Sequence, residues 1–145
     1  MKNGNGMHID NSIRALLRRA DQVAKDMMKE LLKGTAGIST APQFDVLAAV
    51  AANEGLSQTD LVTATGIDRS TMTEIVRRMV KGGLLTRKRS KQDARCFVVR
   101  TTVEGRRVLR AALPAAEATD RWLTSSTGAE AFRKPLERVV AQVGA

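Results

Sequence analysis

The sequence predicts a mainly α-helical protein with one small β-hairpin, an α+β fold. Apolar residues recur at three- and four-residue spacing along much of the 145-residue chain, as they do in amphipathic helices. Two short runs rich in Leu, Val, Phe and Thr, at 84–89 and 95–102, have the composition of paired strands. Just before them, a turn containing glycine joins two helical segments, which is the helix-turn-helix arrangement.

The N-terminal third is predicted to hold two helices. The first covers residues 9–33 with one apolar stripe, and Gly34 ends it. A helix this long with a single apolar stripe usually packs against another helix, in the same chain or in a second copy. The second helix begins at Thr40, where Gln43 gives the spacing of a capping box, and it closes at Gly55.

The next two helices form the predicted helix-turn-helix. Ser57 can cap a short third helix that Gly66 ends, and Asp68 can cap a fourth that runs to about Lys81. At 100° per residue, the outer face of the fourth helix presents hydroxyls first and bases further on, which suits the edges and phosphates of a major groove. Its inner face is Met72, Ile75, Val76 and Met79, and its outer face is Ser70, Glu74, Arg77 and Lys81, flanked by Thr73 and Arg78.

The hairpin carries a dense group of basic residues. Two strands would hold its turn, residues 90–93, rigidly beside the fourth helix, where bases can meet phosphates or the minor groove. A membrane-binding segment would need apolar residues among the charges, and the turn has none. Asp93 stands two positions before Arg95 and can hold that guanidinium by a charge-assisted hydrogen bond. The basic residues of this hairpin are Arg87, Lys88, Arg89, Lys91 and Arg95.

The C-terminal part is predicted to be helical again. Thr101 and Glu104 have capping-box spacing, so a helix should start there and continue toward Trp122. Pro114 should kink or divide it, because proline lacks the backbone N–H that a helix interior uses. A last helix is predicted within residues 127–143, with a second proline as an irregularity.

Positive charge is concentrated in the middle of the chain. Residues 57–110 hold thirteen Lys and Arg against five Asp and Glu, a net +8 of the chain's +9, so a polyanion is the expected partner. With one cysteine, Cys96, and one histidine, His8, we expect no disulfide, no metal site, no cofactor and no enzyme activity. No apolar run reaches the length of a membrane span, and the protein is expected to be cytoplasmic.

Four segments occur in an order and at a spacing that match a known family. They are 40-TAPQFDVL-47, 57-SQTDLVTATGIDRSTMTEIVRRMVKGGLLTRK-88, 93-DAR-95 and 102-TVEG-105, and together they resemble the MarR family of winged helix-turn-helix transcriptional regulators. The resemblance implies a homodimer on a palindromic operator, with N- and C-terminal dimerisation helices flanking each winged helix-turn-helix. The implied divisions are a disordered N-terminus (1–8), an N-terminal dimerisation helix (9–36), the DNA-binding domain (37–102) and C-terminal dimerisation helices (103–145).

The resemblance also assigns the DNA contacts. Ser70, Thr73 and Arg77 would lie in the major groove, and Arg95 would reach the minor groove or its phosphates. Glu74 is less expected on the reading face; it could accept from a cytosine amino group, or it could point away and lower non-specific affinity. The predicted DNA-binding residues are Ser57, Gln58, Arg69, Ser70, Thr71, Thr73, Arg77, Arg87, Lys88, Arg89, Lys91, Asp93 and Arg95.

A ligand site is implied in the same way. Members of this family often release DNA when a small, frequently aromatic and anionic molecule binds between the dimer helices and the DNA-binding lobe. In this chain its lining would be Arg14, Arg18, Phe44 and Trp122. The two arginines could equally be solvated or form ion pairs between subunits, and the two aromatics could belong to the core. Cys96 is expected to be a small buried residue of a strand, and whether it senses oxidants is left open.

The predicted function is that of a sequence-specific DNA-binding transcriptional regulator, a dimeric repressor that a small ligand releases from its operator. Its expected partners are double-stranded DNA, a second copy and a small-molecule effector, and no membrane. Two alternatives remain. A non-specific architectural DNA-binding protein would share the charge pattern without a preferred site. A winged-helix protein-interaction module would show little salt-dependent DNA binding.

Overall fold

Helices precede and follow a small hairpin, as the sequence pattern predicted, in a computed structural model that describes residues 7–144. The predicted disorder of residues 1–8 therefore falls almost entirely outside the described residues. The fold class, mainly α with a small β part, is confirmed. The helices are α1 (Ile13–Leu31), α2 (Ala41–Ala52), α3 (Gln58–Thr65), α4 (Arg69–Lys81), α5 (Val103–Leu123) and α6 (Ala129–Ala141), and the strands are β1 (Leu56–Ser57), β2 (Leu85–Arg89) and β3 (Phe97–Thr101).

Helix α1 begins later than its apolar pattern suggested. Ser12 caps it by accepting a hydrogen bond from the Ala15 N–H at 3.2 Å, and the Ser12 N–H donates to the Asp10 carboxylate at 2.8 Å. The predicted start at Ile9 is wrong, because the capping side chain rather than the apolar spacing fixes the first helical residue. The helix ends at Leu31, two residues before the predicted end.

Helices α2, α3 and α4 begin at the predicted caps. Thr40 and Gln43 form a reciprocal capping box, and Ser57 and Asp68 each accept a hydrogen bond from the N–H three residues on. Gly66 ends α3 with a φ of +73°, a left-handed conformation that favours glycine. The predicted helix-turn-helix, α3 followed by α4, is confirmed.

The sheet has three antiparallel strands in the order β1-β3-β2, one more strand than the sequence predicted. β2 pairs with β3 from Leu85 opposite Thr101 to Arg89 opposite Phe97, which confirms the hairpin but leaves residues 90–96 outside the strands. β1 adds two residues on the other side of β3, with Leu56 opposite Val99. Two residues are too few to show an alternating pattern, so β1 could not be predicted from periodicity.

The cap of α5 is Thr102, not the predicted Thr101. Thr102 accepts a hydrogen bond from the Gly105 N–H at 2.9 Å, while the Thr101 hydroxyl donates to the carboxylate of Glu54, in the turn that follows α2. Gly105 packs so closely on the preceding loop that an added Cβ would lie 2.1 Å from the carbonyl oxygen of Leu84. The capping-box spacing of Thr101 and Glu104 carries no information about this contact, because Leu84 is distant in sequence from the start of α5.

Pro114 does not divide α5. The helix continues as one element from Val103 to Leu123, so of the two predicted outcomes, a kink or a division, the division is wrong. The proline side chain is exposed, while Ala112 and Ala115 on either side of it are buried. The helix keeps its packing against the core through Ala112 and Ala115, although proline lacks the N–H that a helix interior uses.

The core lies where α2 packs against α3, α4, α5 and the sheet. Val46, Leu47 and Val50 of α2 are completely buried at its centre, and α1 adds Met28 and Leu32 from its C-terminal end. The four predicted inner residues of α4, Met72, Ile75, Val76 and Met79, are all buried. This packing turns the opposite face of α4 outward, beside the hairpin.

Candidate DNA-binding surface

The outward face of α4 is the first part of the candidate surface. Ser70, Thr73 and Arg77 are exposed along it, as their predicted role in a major groove requires. The Thr73 hydroxyl donates to the backbone carbonyl of Arg69 at 2.9 Å and accepts from the amide of Gln58 at 2.5 Å. That second bond links the reading face to the start of α3, so the two helices present their polar side chains together.

The N-terminus of α4 is fixed by its capping carboxylate. Asp68 accepts from the Thr71 N–H at 2.9 Å, from the Thr71 hydroxyl at 2.7 Å and from the Ser70 hydroxyl at 3.1 Å. These hydrogen bonds, with the Thr71 backbone bond the largest, hold the pKa of the Asp68 carboxyl below its ordinary range. In the free protein the hydroxyls of Ser70 and Thr71 are therefore engaged with the cap.

In the middle of α4, Glu74 pairs with two arginines. Arg77 donates to its carboxylate from Nη2 at 2.7 Å and from Nε at 3.2 Å, and Arg78 donates from Nε at 2.8 Å. The hydrogen bonds from Arg77 and then Arg78 lower the pKa of Glu74 to about 2. The predicted base-reading arginine is thus already bound by its neighbour before any DNA is present.

The connection between β2 and β3 forms the wing tip, residues 90–96. Asp93 accepts from the Arg95 N–H at 3.0 Å and from its guanidinium Nε at 3.2 Å, which is the contact expected from their spacing. The backbone bond from Arg95 and then its side-chain bond lower the pKa of the Asp93 carboxyl. The Arg95 side chain is nevertheless 91% exposed, so it projects from the tip while one edge is held.

An aromatic side chain that the sequence reasoning missed orders the end of the wing strands next to the tip. Phe97 lies under two arginines, with the guanidinium carbon of Arg87 4.3 Å and that of Arg89 4.9 Å from its ring centroid. Arg89 also donates to the Ala94 carbonyl at 2.6 Å. The register of the two strands, which sets Phe97 directly opposite Arg89, would have indicated this contact. Stacking of this kind restrains the arginines without neutralising them.

A cleft of about 230 Å³ separates the wing from the helix-turn-helix. Ser57, Gln58, Arg69 and Arg87, all predicted to bind DNA, line it together, and Arg69 donates to the Thr59 hydroxyl at 3.0 Å. Lys88 and Lys91 are exposed on the wing, outside this cleft. The predicted contacts from three separate elements thus meet along one side of the molecule.

Cys96 also lines this cleft, and its predicted burial is wrong. It lies in the wing connection just before β3 and is exposed. Its thiol approaches the Asp93 carboxylate at 3.6 Å. The strand begins at Phe97, two residues after the start of the predicted run 95–102, which leaves the Cys96 side chain at the surface.

The four predicted ligand-binding residues are spread over α1, α2 and α5. Arg14 and Arg18 are exposed on α1, Phe44 is half-buried against the core, and Trp122 is 50% exposed near the end of α5. None of them lines the cleft or the two larger cavities of the single chain. Those cavities are a groove of about 850 Å³ between α5 and α6, and a space of about 610 Å³ between α1, the start of α2 and α4.

A helix-turn-helix with an exposed polar recognition face and a basic hairpin beside it defines a winged helix-turn-helix DNA-binding protein. The comparison with known families gives the same answer. The model described as MarR family matches residues 36–95. Together with the relatives below, this shows that the chain belongs to the MarR family of DNA-binding transcriptional regulators.

Relatives extend the match to nearly the whole chain. Transcriptional regulator HosA of Escherichia coli O127:H6 is 34% identical over 91 residues, which are 63% of this chain and 67% of HosA. The crystal structure of the PcaV transcriptional regulator from Streptomyces coelicolor, solved with its natural ligand, is 30% identical and has a TM-score of 0.76 over 96% of this chain and 99% of PcaV. BpsR of Bordetella bronchiseptica, whose DNA binding is regulated by 6-hydroxynicotinic acid, is 25% identical. Its structure has a TM-score of 0.80 over 96% of this chain and 98% of BpsR.

Among residues 7–144, no group of three His, Cys, Asp or Glu side chains is placed to hold a metal ion. Within the same described part of the chain, no helix is long and apolar enough to cross a membrane.

Proposed function

We propose that this regulator is a dimeric repressor that binds a palindromic operator and leaves it when a small ligand binds. The observation that carries the proposal is the shared orientation of the recognition face and the basic wing. Exposed polar groups of α3, α4 and the wing meet around one cleft, with arginines from both sides. Phosphate contacts would supply most of the affinity, and base contacts the preference for a site.

The predicted residues divide into three roles. Ser70, Thr73 and Arg77 would read base edges in the major groove, and Arg95, oriented by Asp93, would enter the minor groove or bind its phosphates. The remaining residues would bind the phosphate backbone on either side and fix the register of the protein. These are Ser57, Gln58, Arg69, Thr71, Arg87, Lys88, Arg89 and Lys91.

Exposed apolar surface on the terminal helices supports a homodimer. None of the residues of α6 is buried, although several of them are apolar. Val139 and Val140 are 49% and 74% exposed, and Leu136 lines the groove against α5. Helix α1 likewise exposes Ile13 and Leu16. Contiguous apolar surface of this kind is rare on monomers and is typical of interfaces. Residues 9–36 and 103–145 would then form the dimer, and residues 37–102 the DNA-binding domain.

A dimer also gives the ligand proposal its geometry. We place the effector between the dimer helices and the DNA-binding domain, with Arg14 and Arg18 for an anionic group and Phe44 and Trp122 for a ring. These residues line none of the three cavities described above, so the site that we propose would need the partner subunit to complete it. The precedent is BpsR, whose DNA binding responds to 6-hydroxynicotinic acid, an aromatic carboxylic acid.

Selection of bound sequences from random DNA tests the proposal. We expect an inverted repeat whose half-sites are centred about one helical turn apart, because a two-fold dimer presents two recognition helices. Adding 6-hydroxynicotinic acid and related aromatic acids to the complex should then release the DNA. Binding without a preferred sequence would indicate an architectural protein, and the absence of salt-dependent binding would indicate a protein-interaction module.

A further inference from the structure

One carboxylate on the recognition helix is bound by two arginines at once. Glu74 accepts from Arg77 through Nη2 at 2.7 Å and Nε at 3.2 Å, and from Arg78 through Nε at 2.8 Å. All three side chains are about half exposed, at 46%, 58% and 67%, so the cluster lies on the surface and is not part of the core. Its carboxyl stays ionised at neutral pH.

The atoms used by Glu74 determine which atoms of Arg77 remain free. A guanidinium has five N–H groups in a rigid planar fork. The carboxylate occupies the Nε hydrogen and one Nη2 hydrogen, along one edge of the fork. The Nη1 hydrogens and the second Nη2 hydrogen remain, and two of these lie parallel at the outer edge. That pair matches the O6 and N7 acceptors of guanine in the major groove.

We propose that Glu74 is a positioning residue that determines sequence specificity. It holds the guanidinium of Arg77 by one edge so that the other edge is presented to a guanine, and it cancels one of the two neighbouring positive charges. Since a fixed fork loses little further rotational freedom on binding, the correct base gains affinity. Since the cluster carries one positive charge instead of two, phosphates of any sequence bind more weakly. The inference rests on the proposed sequence-specific binding of DNA and adds a residue to it.

The chain offers a matched control for this cluster. On α5, Arg107 donates to Glu104 through Nη2 at 2.5 Å and Nε at 2.9 Å, the same two atoms at the same three-residue spacing. This pair is exposed to a similar degree, at 56% and 52%, and lies outside the recognition helix. Glu104→Ala therefore changes the net charge and breaks a bidentate pair as Glu74→Ala does, without touching Arg77.

The experiment measures the affinity of each protein for a selected operator and for scrambled DNA over a range of salt concentrations. For Glu74→Ala we expect tighter binding to scrambled DNA and a salt slope steeper by up to about 0.9 for each added phosphate contact. The ratio of operator to scrambled affinity should fall by about fivefold to hundredfold, the range expected for one bidentate base contact. Glu104→Ala should leave this ratio within about twofold of the wild-type value. Alanine is the best helix former, so both variants should fold, which circular dichroism checks.

A double variant separates positioning from a general charge effect. In an Arg77→Ala background, Glu74→Ala should no longer change the operator-to-scrambled ratio, because the side chain that it positions is absent. An unchanged or higher ratio for Glu74→Ala alone, in a protein whose wild type prefers the operator, would overturn the inference and leave the proposed function intact. If the wild type itself showed no preferred sequence, the proposed function would be overturned together with this inference.

Discussion

Asp93 and Arg95 show how a single acid can serve a basic wing. The carboxylate contacts both the backbone N–H and the guanidinium of Arg95, at 3.0 and 3.2 Å, while the rest of that side chain projects into solvent. Hydrogen bonds to an ionised acceptor are stronger than those between neutral groups, and these two restrict the rotamers of Arg95 before DNA binds. The acid therefore reduces the positive charge of the tip and raises its order.

Replacing Asp93 by alanine should weaken binding to the operator even though the protein becomes more positive. We expect a loss of about twofold to tenfold in affinity, since ordering one long side chain costs roughly 0.5–1.5 kcal/mol. Electrophoretic mobility shifts or fluorescence anisotropy would measure it. Glu30→Ala is the control, because it makes the same change in charge at an exposed ion pair with Lys33, 2.9 Å, on α1. A gain in operator affinity for Asp93→Ala would refute the role of this residue.

The pKa of Glu74 gives a test in the free protein. Its hydrogen bonds to Arg77 and Arg78 lower the pKa from 4.5 to about 2, so folding favours the ionised form. The stability that this cluster contributes should be fully present above pH 4.5 and should be lost as the pH falls toward 2. An NMR titration of the side-chain carboxyl should give a midpoint near the lower value. A midpoint near the ordinary value would show that the arginines do not bind Glu74 in solution.

At the scale of elements, the junction of β3 and α5 connects the wing to the helix that follows it. Thr102 caps α5 and also donates to the Gly83 carbonyl at 2.6 Å, and Gly105 packs directly on the backbone at Leu84. Thr101, the last residue of β3, donates from its N–H at 2.9 Å and from its hydroxyl to the carboxylate of Glu54, in the turn that follows α2. The wing is thereby anchored at its base while its tip stays exposed.

Gly105→Ala should destabilise the protein because the new methyl group would lie 2.1 Å from a backbone oxygen, which cannot move independently of the loop. We expect a loss of at least about 1–3 kcal/mol in the free energy of unfolding, the usual cost of overpacking. Gly82→Ala is the control, since its Cβ would lie 3.3 Å from the nearest atom and its φ is an ordinary −79°. Denaturant unfolding at one fixed protein concentration compares them. Equal midpoints for the two variants would contradict the predicted packing.

The elements could be predicted well from the sequence where local chemistry determines them. Capping side chains placed the starts of α2, α3 and α4, and the apolar spacing of α4 identified its buried face. The wrong predictions concern elements whose position depends on a contact with a residue distant in sequence. Thr101 has the spacing of a cap but binds Glu54, 47 residues away, and strand β1 exists only because β3 lies beside it. Periodicity carries no information about such partners.

The candidate site divides in the same way. The pairing of Asp93 with Arg95 followed from a two-residue spacing, and the structure contains it. The stacking of Arg87 and Arg89 on Phe97 could not be predicted without the strand register. The bond from Arg78 to Glu74 could not be predicted without the side-chain conformations. Which of these residues contact DNA remains a prediction of the proposed function.

At the scale of the whole molecule, the terminal helices leave apolar surface exposed, and we propose that a second chain buries it. Leu136 and Val140 of α6 are 37% and 74% exposed, and they line a groove with the end of α5. The core around α2 is complete without them. A substitution on the exposed face of α6 can therefore act on the proposed dimer without disturbing this core.

Val140→Glu should dissociate the proposed dimer and leave the fold of each subunit intact, because the side chain is exposed in the single chain. We expect a dimer for the wild type and a monomer for the variant at micromolar concentration in sedimentation velocity, since an unpaired charge in an apolar interface is costly. Val103→Glu is the control, as an equally exposed valine, 76%, in the first turn of α5. A monomeric wild type, or a dimeric variant, would contradict the assignment of α6.

The central claim is that the α4 face reads DNA sequence, and one competition measurement tests it most directly. The affinity for a selected operator and for scrambled DNA of equal length would be compared at physiological salt for the wild type and for Arg77→Ala. We predict at least about 10³-fold preference for the operator in the wild type, and a loss of about 1–3 kcal/mol of that preference in the variant. Equal wild-type affinity for both DNAs, or an Arg77→Ala variant that weakens both to the same extent, would contradict it.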